Sequence, residues 1–271
     1  MQLQICATVY KKSLDQVRRM VESIPKDASL RIDIDGGWDA IDISHLKEIH
    51  DFDLYQHGEN RGLAKLRNEQ IEECTHEYIQ FIDADDYLES YCSNIINNAL
   101  KTHPYIVATN VTYVNSGEVV AVEKRNIVVG NNRSLSYFVI PSLIIKIEIL
   151  RKNPDLRFDE SGILFEDVMF SMVLTEIVLK SGINNVYRID IPWYNYDITP
   201  SESLSRPKDN TRLIESTLKV IEDLKIKDFS PELAYARMVE ESLRLLQLGD
   251  PDLTMKVVDL LKPYKFKGFY K

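Results

Sequence analysis

The stretch Tyr78-Ile79-Gln80-Phe81-Ile82-Asp83-Ala84-Asp85-Asp86-Tyr87-Leu88 constrains this chain more than any other. A short apolar run rich in β-formers reads as a buried strand, and it stops at three carboxylates within four residues before a helix-like segment begins. Carboxylates this close repel one another and resist desolvation, so at a sheet edge they need a cation or hydrogen-bond donors. Hard oxygen ligands suit Mg²⁺ or Mn²⁺, which keep waters and take substrate phosphates to complete their shell. The stretch reads as a metal and diphosphate site. The alternative is a plain turn at Asp83, with Asp85 or Asp86 capping the next helix.

The segments around it alternate. Leu3 to Val9 reads as a first strand, ending near Thr8 and Tyr10, and Ser13 reads as the N-cap of a helix with Leu14, Val17, Met20, Val21 and Ile24 at helical spacing. Leu30 to Ile34 is a second strand closed by Asp35-Gly36-Gly37-Trp38-Asp39. Phe52 to Tyr55 is a short third strand, and the helix from about Leu63 to Cys74 carries Arg67 and Asn68. This order predicts a largely parallel sheet. Ligands of such sheets bind at the carboxyl ends of the strands, where Thr8, Tyr10, Asp35 and Asp83 to Asp86 all fall.

Further on, the pattern predicts a helix around Ile95 to Leu100, a strand at Tyr105 to Val111, and paired strands at Val119 to Val122 and Asn126 to Val129. Glu166 and Asp167 open a helix running to about Leu179. The macrodipole there favours ionised carboxylates, whether as a catalytic base or as ordinary first-turn acids. Val186 to Ile191 reads as the last strand. Trp193 to Asp197 with Ser201 to Arg206 reads as a loop whose aromatics and hydroxyls suit a sugar or diphosphate, or simply pack. From Asn210 the composition shifts to three amphipathic helices, so residues 1–206 are expected to form the main domain and 207–271 a small helical appendage. Its apolar faces need cover, from the main domain or from a second subunit in a homo-oligomer. The tail from Lys262 to Lys271 interleaves lysines with aromatics, as for a peripheral contact with an anionic membrane or for a packing contact.

Composition narrows the classes. Lys and Arg number 33 against 42 Asp and Glu, a formal charge of −9, which disfavours a broad nucleic-acid footprint. Cys6, Cys74 and Cys92 have no paired spacing, so neither a disulfide framework nor a zinc site is indicated. The start at Met1 lacks the form of a signal peptide, and no apolar run approaches a membrane span. A cytoplasmic location is the expectation.

Taken together, Thr8 and Tyr10, the Asp35 to Asp39 turn, Asn60-Arg61-Gly62 with Arg67-Asn68, Asp83-Ala84-Asp85-Asp86 and Glu166-Asp167 resemble glycosyltransferase family 2 over about the first two hundred residues. The resemblance implies the α/β GT-A fold, a Rossmann-like, mostly parallel sheet flanked by helices. It implies metal-dependent, inverting transfer from a UDP-type or TDP-type nucleotide sugar to a hydroxyl acceptor. Thr8, Tyr10, Asp35 and Arg67 would then hold the uracil-type base, Asp83 would meet the ribose or the metal shell, and Ala84 would lie with them against the donor. Asp85, with Asp83 in its shell, would bind Mn²⁺ or Mg²⁺. Asp167 would be the catalytic base, with Glu166 as its neighbour.

Three segments depart from the family pattern: Ile34, Asp35 and Gly37 at the second strand, Leu66 and Gln70 in the helix after the third strand, and Asp197 where a basic residue is frequent. The rival classes are a nucleotidyltransferase or pyrophosphorylase, which calls for a glycine-rich or basic phosphate loop after the first strand, and a catalytically inactive nucleotide-sugar-binding module. Near the first strand only Lys11-Lys12 hints at such a loop. The acceptor, whether envelope polymer, lipid-linked sugar, protein or modified nucleobase, is not written in these motifs.

Overall fold

The computed structural model describes residues 2–36, 42–123, 140–162, 164, 166–181, 186–199 and 210–226, together with the single positions 229, 242, 255 and 259. Its first half is β1 (Leu3–Val9), α1 (Leu14–Ser23), β2 (Ser29–Ile34), β3 (Phe52–Gln56), α2 (Leu63–Glu73) and β4 (Tyr78–Asp83). Then follow β5 (Tyr87–Leu88), α3 (Ser93–Leu100), β6 (Ile106–Asn115), β7 (Glu118–Glu123), β8 (Leu143–Lys146), α4 (Ile147–Lys152), α5 (Glu166–Ser181), β9 (Val186–Asp197) and α6 (Asn210–Ile226). The strands form one sheet in the order β3-β2-β1-β4-β8-β6-β9-β5, with β7 on β6. β1, β2, β3 and β4 pair in parallel, as do β6 and β9; β8 runs antiparallel between β4 and β6.

Strand periodicity sorts the core into two layers. Val9, Ile32 and Ile82 face α1 and α3, meeting Val17, Met20, Val21, Ile96 and Ala99. Cys6, Ile79, Phe81, Ile106 and Ala108 face the other way, toward Ile71 of α2, Leu150 of α4 and Phe170 and Leu174 of α5. β4 is thus buried on both sides, with Gln80 as the polar residue in its middle.

Only Ala84 to Asp86 separate β4 from β5, yet three strands lie between them in the sheet order. The sheet must therefore curl until β9 and β5 return over the end of β4. The acidic turn sits where that curl closes: the Asp86 N–H donates to Asp83 O at 3.0 Å, and the Asp83 N–H donates to the Tyr194 hydroxyl of β9 at 3.4 Å.

Two expectations change. The acidic turn leads into the two-residue strand β5 and a short 3₁₀ turn at Ser90–Cys92 before α3, so neither Asp85 nor Asp86 caps a helix. Trp193 to Asp197 is the continuation of β9, not a loop. β6 supplies a ladder for it as far as Asp197, and Pro192, which has no N–H to donate, falls where the register shifts. Trp193 and Tyr194 are fully buried, and the Trp193 indole donates to Gln80 Oε1 at 3.1 Å. β7 pairs with β6. The strand expected at Asn126 to Val129, the residues Gly37 to Asp39 and Ser201 to Arg206, and all but isolated positions of the second and third C-terminal helices and the tail lie outside the described residues.

Gly36 joins β2 to the loop that enters α2. Its N–H donates to Glu59 O at 3.1 Å, and a Cβ on it would lie 2.3–2.5 Å from Glu59 backbone atoms. No side-chain rotation relieves an overlap with backbone. Gly36→Ala is expected to lower unfolding free energy by about 1–3 kcal/mol, the scale of forced overpacking, read as a shifted midpoint in urea denaturation.

Candidate active site

The polar ends of β1, β2 and β4 come to one edge. Thr8 lies level with Asp33 on one neighbouring strand and Asp83 on the other. Asp35, buried just past β2, accepts from the Arg61 N–H at 2.6 Å and the Gly62 N–H at 3.0 Å. Gly62 is the N-cap of α2, with φ of 85° and no side chain to cap with, so Asp35 holds the entrance to the helix from across the sheet. One lone pair on each Asp35 oxygen remains for another donor. Tyr10 is half-buried, with the Lys11 ammonium over its ring at 5.1 Å.

Asp33, fully buried, is a site residue the sequence reading passed over. It accepts from Arg31 Nε at 2.7 Å and from Gln70 Nε2 at 2.8 Å, and contacts His57 Nε2 at 3.0 Å. Arg61 donates to His57 Nδ1 at 3.1 Å, so the proton of the neutral ring is on Nε2 and points at Asp33. Burial pushes the Asp33 carboxyl up, but the bonds from Arg31, Gln70 and His57 outweigh it and hold it below the usual range. Gln70 stands out from the family pattern because it serves Asp33. The signal in the sequence was Arg31, Asp33 and Asp35 at alternate positions, which puts three charges on one face of a buried strand.

Arg67, buried on α2, links the two acidic segments. Its guanidinium donates to Asp83 Oδ1 at 2.8 Å and to Glu166 Oε1 at 3.2 Å, with Phe81 and Phe158 beneath it at 5.7 and 5.3 Å. One N–H of each terminal nitrogen is thereby committed to a carboxylate. Burial, with the charge of Asp167 second and against the pull of Arg67, pushes the Glu166 carboxyl up to about 7. Burial and the charge of Asp85 likewise raise Asp83, against Arg67. Asp167 is half-buried and has no hydrogen-bond or ion-pair partner among the described residues.

The other two acids of the turn have separate partners. The Lys12 ammonium meets Asp85 Oδ2 at 2.5 Å. Asp86, 1% exposed, accepts from the Tyr194 hydroxyl and from the Asp197 N–H, the latter at 2.8 Å. Burial and the neighbouring charges of Asp83 and Asp85 raise the Asp86 carboxyl well above its usual range. Asp197 pairs with Arg19 of α1 at 2.6 Å, and Arg19 also donates to the Asp85 carbonyl. A cleft of about 450 Å³ opens beside Asp85, lined by Ser13, Gln16, Arg19, Ser116, Asp197 and Thr199. A larger cavity of about 560 Å³, between Asn153, Asp155, Glu176 and Lys180, lies toward the far end of α5 from the acids.

The loop that delivers Glu166 is pinned on two sides. Asn68 of α2 donates to Phe158 O at 3.0 Å and accepts the Phe158 N–H at 2.9 Å. On α6, Ser216 accepts the Leu164 N–H at 2.9 Å, and Lys219 reaches Asp159 at 3.0 Å and Ser161 at 2.6 Å. The first helix of the expected appendage thus touches the segment leading into the acid pair.

Among the described residues no three His, Cys, Asp or Glu side chains form a ready-made metal cage. Asp83 and Asp85 do offer two hard oxygen donors at the mouth, and that number fits an Mg²⁺ or Mn²⁺ ion completed by phosphate oxygens and water. No helix among the described residues is long and apolar enough to cross a membrane.

The comparisons with known proteins follow this geometry. The profile described as Glycosyl transferase family 2 matches residues 40–176, half of the chain. This chain belongs to glycosyl transferase family 2. Putative glycosyltransferase EpsH of Bacillus subtilis (strain 168) is 46% identical over 44 residues, 16% of this chain and 13% of that protein. The crystal structure of S. aureus TarS superposes with a TM-score of 0.66 at 17% identity, covering 89% of this chain and 43% of TarS. The mannosyltransferase PcManGT from Pyrobaculum calidifontis, in complex with GDP-Man and Mn²⁺, gives 0.61 at 14% identity, covering 98% of this chain and 76% of that one. The chain therefore spans less than half the length of TarS, and its match to EpsH a small part of that protein. The shared architecture is the GT-A fold.

The raised Glu166 carboxyl has a pH signature. Between its unfolded value near 4.5 and about 7 the folded protein holds more protons than the unfolded chain, so this group makes stability fall as pH rises through that window. The slope for one proton is at most about 1.4 kcal/mol per pH unit. Glu166→Gln is expected to flatten the stability profile between pH 4.5 and 7 and leave it parallel to the parent above pH 8, measured by urea denaturation at each pH.

Proposed function

We propose that this chain is a metal-assisted, inverting glycosyltransferase that moves a sugar from a UDP-type nucleotide sugar, or its TDP counterpart, to a hydroxyl acceptor. The observation that carries the reading is the convergence of Asp83-Ala84-Asp85 and Glu166-Asp167 around Arg67 at one sheet edge. Support comes from two proteins of the same fold, TarS 1-349 in complex with UDP-GlcNAc and PcManGT in complex with GDP-Man and Mn²⁺. The nucleotidyltransferase alternative lacks its phosphate loop, and family membership weighs against it.

In this reading Thr8, Tyr10 and Asp35 receive the base, the free Asp35 lone pairs accepting a ring N–H, while Asp83 and Ala84 lie along the ribose and diphosphate. Arg67 joins Thr8, Tyr10 and Asp35 at the base, since Asp83 and Glu166 take only two of its five N–H donors. Asp83 and Asp85 would hold a divalent ion, which would supply counter-charge to the leaving diphosphate. Asp167 takes the proton of the attacking acceptor hydroxyl, and Glu166, tied to Arg67, keeps the start of α5 in place. Direct displacement from the face opposite the diphosphate inverts the anomeric carbon and needs no enzyme nucleophile. We extend the proposal to a cytoplasmic location, to a catalytic unit at residues 1–206, and to residues 207–271 as a helical region for the acceptor, a second subunit or a membrane surface.

The donor assignment is tested by competition binding with UDP, TDP, GDP and ADP in Mn²⁺. Pyrimidine diphosphates are expected to bind at least about tenfold more tightly than purine ones, a difference of about 1.4 kcal/mol. Preference for a purine nucleotide overturns it. Asp85→Asn should fold as the parent does yet lose Mn²⁺-dependent UDP binding in calorimetry.

The base assignment is tested on turnover. Asp167→Asn should lower turnover by roughly two to four orders of magnitude with donor affinity near the parent value, and Glu166→Gln should cost less. Near-parent turnover in Asp167→Asn removes the assignment, and retention of anomeric configuration by NMR removes inversion.

A further inference from the structure

Lys12 stands where a helix start ordinarily has an apolar residue. Ser13 is the N-cap of α1, with a full capping box to Gln16, and the residue before such a cap usually packs as an apolar staple on the fourth helical position, here Val17. Lys12 forgoes that contact. Lys11, at φ of 50°, turns the chain between β1 and α1, and the two lysines then diverge: Lys11 lies over the Tyr10 ring, while Lys12 points its ammonium at Asp85. Asp83 has Arg67 and Asp86 has Tyr194, so Lys12 is the one cation on the Asp85 carboxylate among the described residues.

We infer, resting on the reading above, that Lys12 is a leaving-group residue: it holds Asp85 while the site awaits its donor, and passes to the outer oxygens of the nucleotide diphosphate when a divalent ion takes its place. Three physical points carry this. A divalent ion on Asp85 cannot share the Oδ2 position with an ammonium at 2.5 Å, because like charges at that range repel strongly. The lysine stem has four rotatable carbons, and its side chain is 22% exposed, so the ammonium is free to swing, unlike the buried guanidinium of Arg67. A lysine ammonium is also an apt partner for a diphosphate, a compact charge with three donors that tolerates a moving phosphate geometry. The same residue thus opposes the bare ion and favours the ion with its diphosphate, which makes the two bind as a pair.

The test measures binding and needs no acceptor. Mn²⁺ affinity is followed by electron paramagnetic resonance, and UDP affinity by calorimetry at saturating Mn²⁺, in the parent, Lys12→Met and Lys12→Arg. Lys12→Met keeps the aliphatic stem and should bind Mn²⁺ alone several-fold more tightly than the parent, while its UDP affinity at saturating Mn²⁺ falls about tenfold, the worth of one charge-assisted bond. Lys12→Arg should restore most of the UDP affinity. If Lys12→Met leaves both affinities at parent values, or weakens both equally, the inference is overturned while the glycosyltransferase reading stands. If the parent binds neither Mn²⁺ nor UDP, both fall together.

Discussion

The structure turns on one buried cation. Arg67 stands between the end of β4 and the start of α5, two elements that touch through it at Asp83 and Glu166. Taking a guanidinium out of water is costly unless its donors are met, and here two carboxylates and two aromatic faces meet them. At Glu166 burial and the charge of Asp167 outweigh the pull of this cation, and the carboxyl rises to about 7. Removing Arg67 would leave both acids buried against each other. The loop from Asn153 to Leu164 has to deliver Glu166 to this cation, and the grips of Asn68 and of Ser216 and Lys219 on that loop follow from the need.

Much of the fold was legible because local signals agreed with the tertiary outcome. Ser13 is the N-cap that the reading expected, completed by a capping box with Gln16, and β1, β2, β3, α2 and β4 fall within a residue or so of their expected limits. Where the reading missed, a long-range partner overrode local chemistry. Pro192 and the aromatic, polar run after it look like a loop in isolation, and become strand because β6 offers a ladder on one side and β5 on the other. Tyr87 and Leu88 are too short to signal a strand at all. They extend because β9 is there to pair with them.

The candidate site was legible in its acids and in Arg67, and less so in the pairings of its other cations. Asp35, Asp83, Asp85, Glu166 and Asp167 stand at strand or helix ends, where a carboxylate calls for explanation. Lysines and arginines are ordinary on any helix, and nothing at Arg19 or Lys12 says that the side chain returns to the sheet edge. The pairing of Arg19 with Asp197 crosses 178 positions of sequence. It resolves the oddity of an acid where the family often has a base, because the positive charge at this place comes from α1. Asp33 escaped notice for another reason: its role is to order Arg31, His57 and Gln70 beneath the pocket, and full burial hides that work from any reading of exposed motifs.

Three carboxylates in four residues remain close only because the turn sends them apart. Asp83 continues the β4 alternation onto the layer of α2 and α5, where Arg67 waits. Asp86 sits against β9 and is sealed there by Tyr194 and the Asp197 N–H, at 1% exposure. Asp85 lies between them, paired with a lysine and 18% exposed, while Asp83 is 33% exposed despite its arginine. Exposure divides the roles. Asp86 is turned toward β9 and held there by Tyr194 and the Asp197 N–H, so it fixes the turn. Asp83 and Asp85, each with one cation and an open side, are the two that can face an incoming charge. Ala84, between them, is 1% exposed and packs into the core layer of Ile82 and α1, so the turn buries its middle residue and leaves an acid on either side of it.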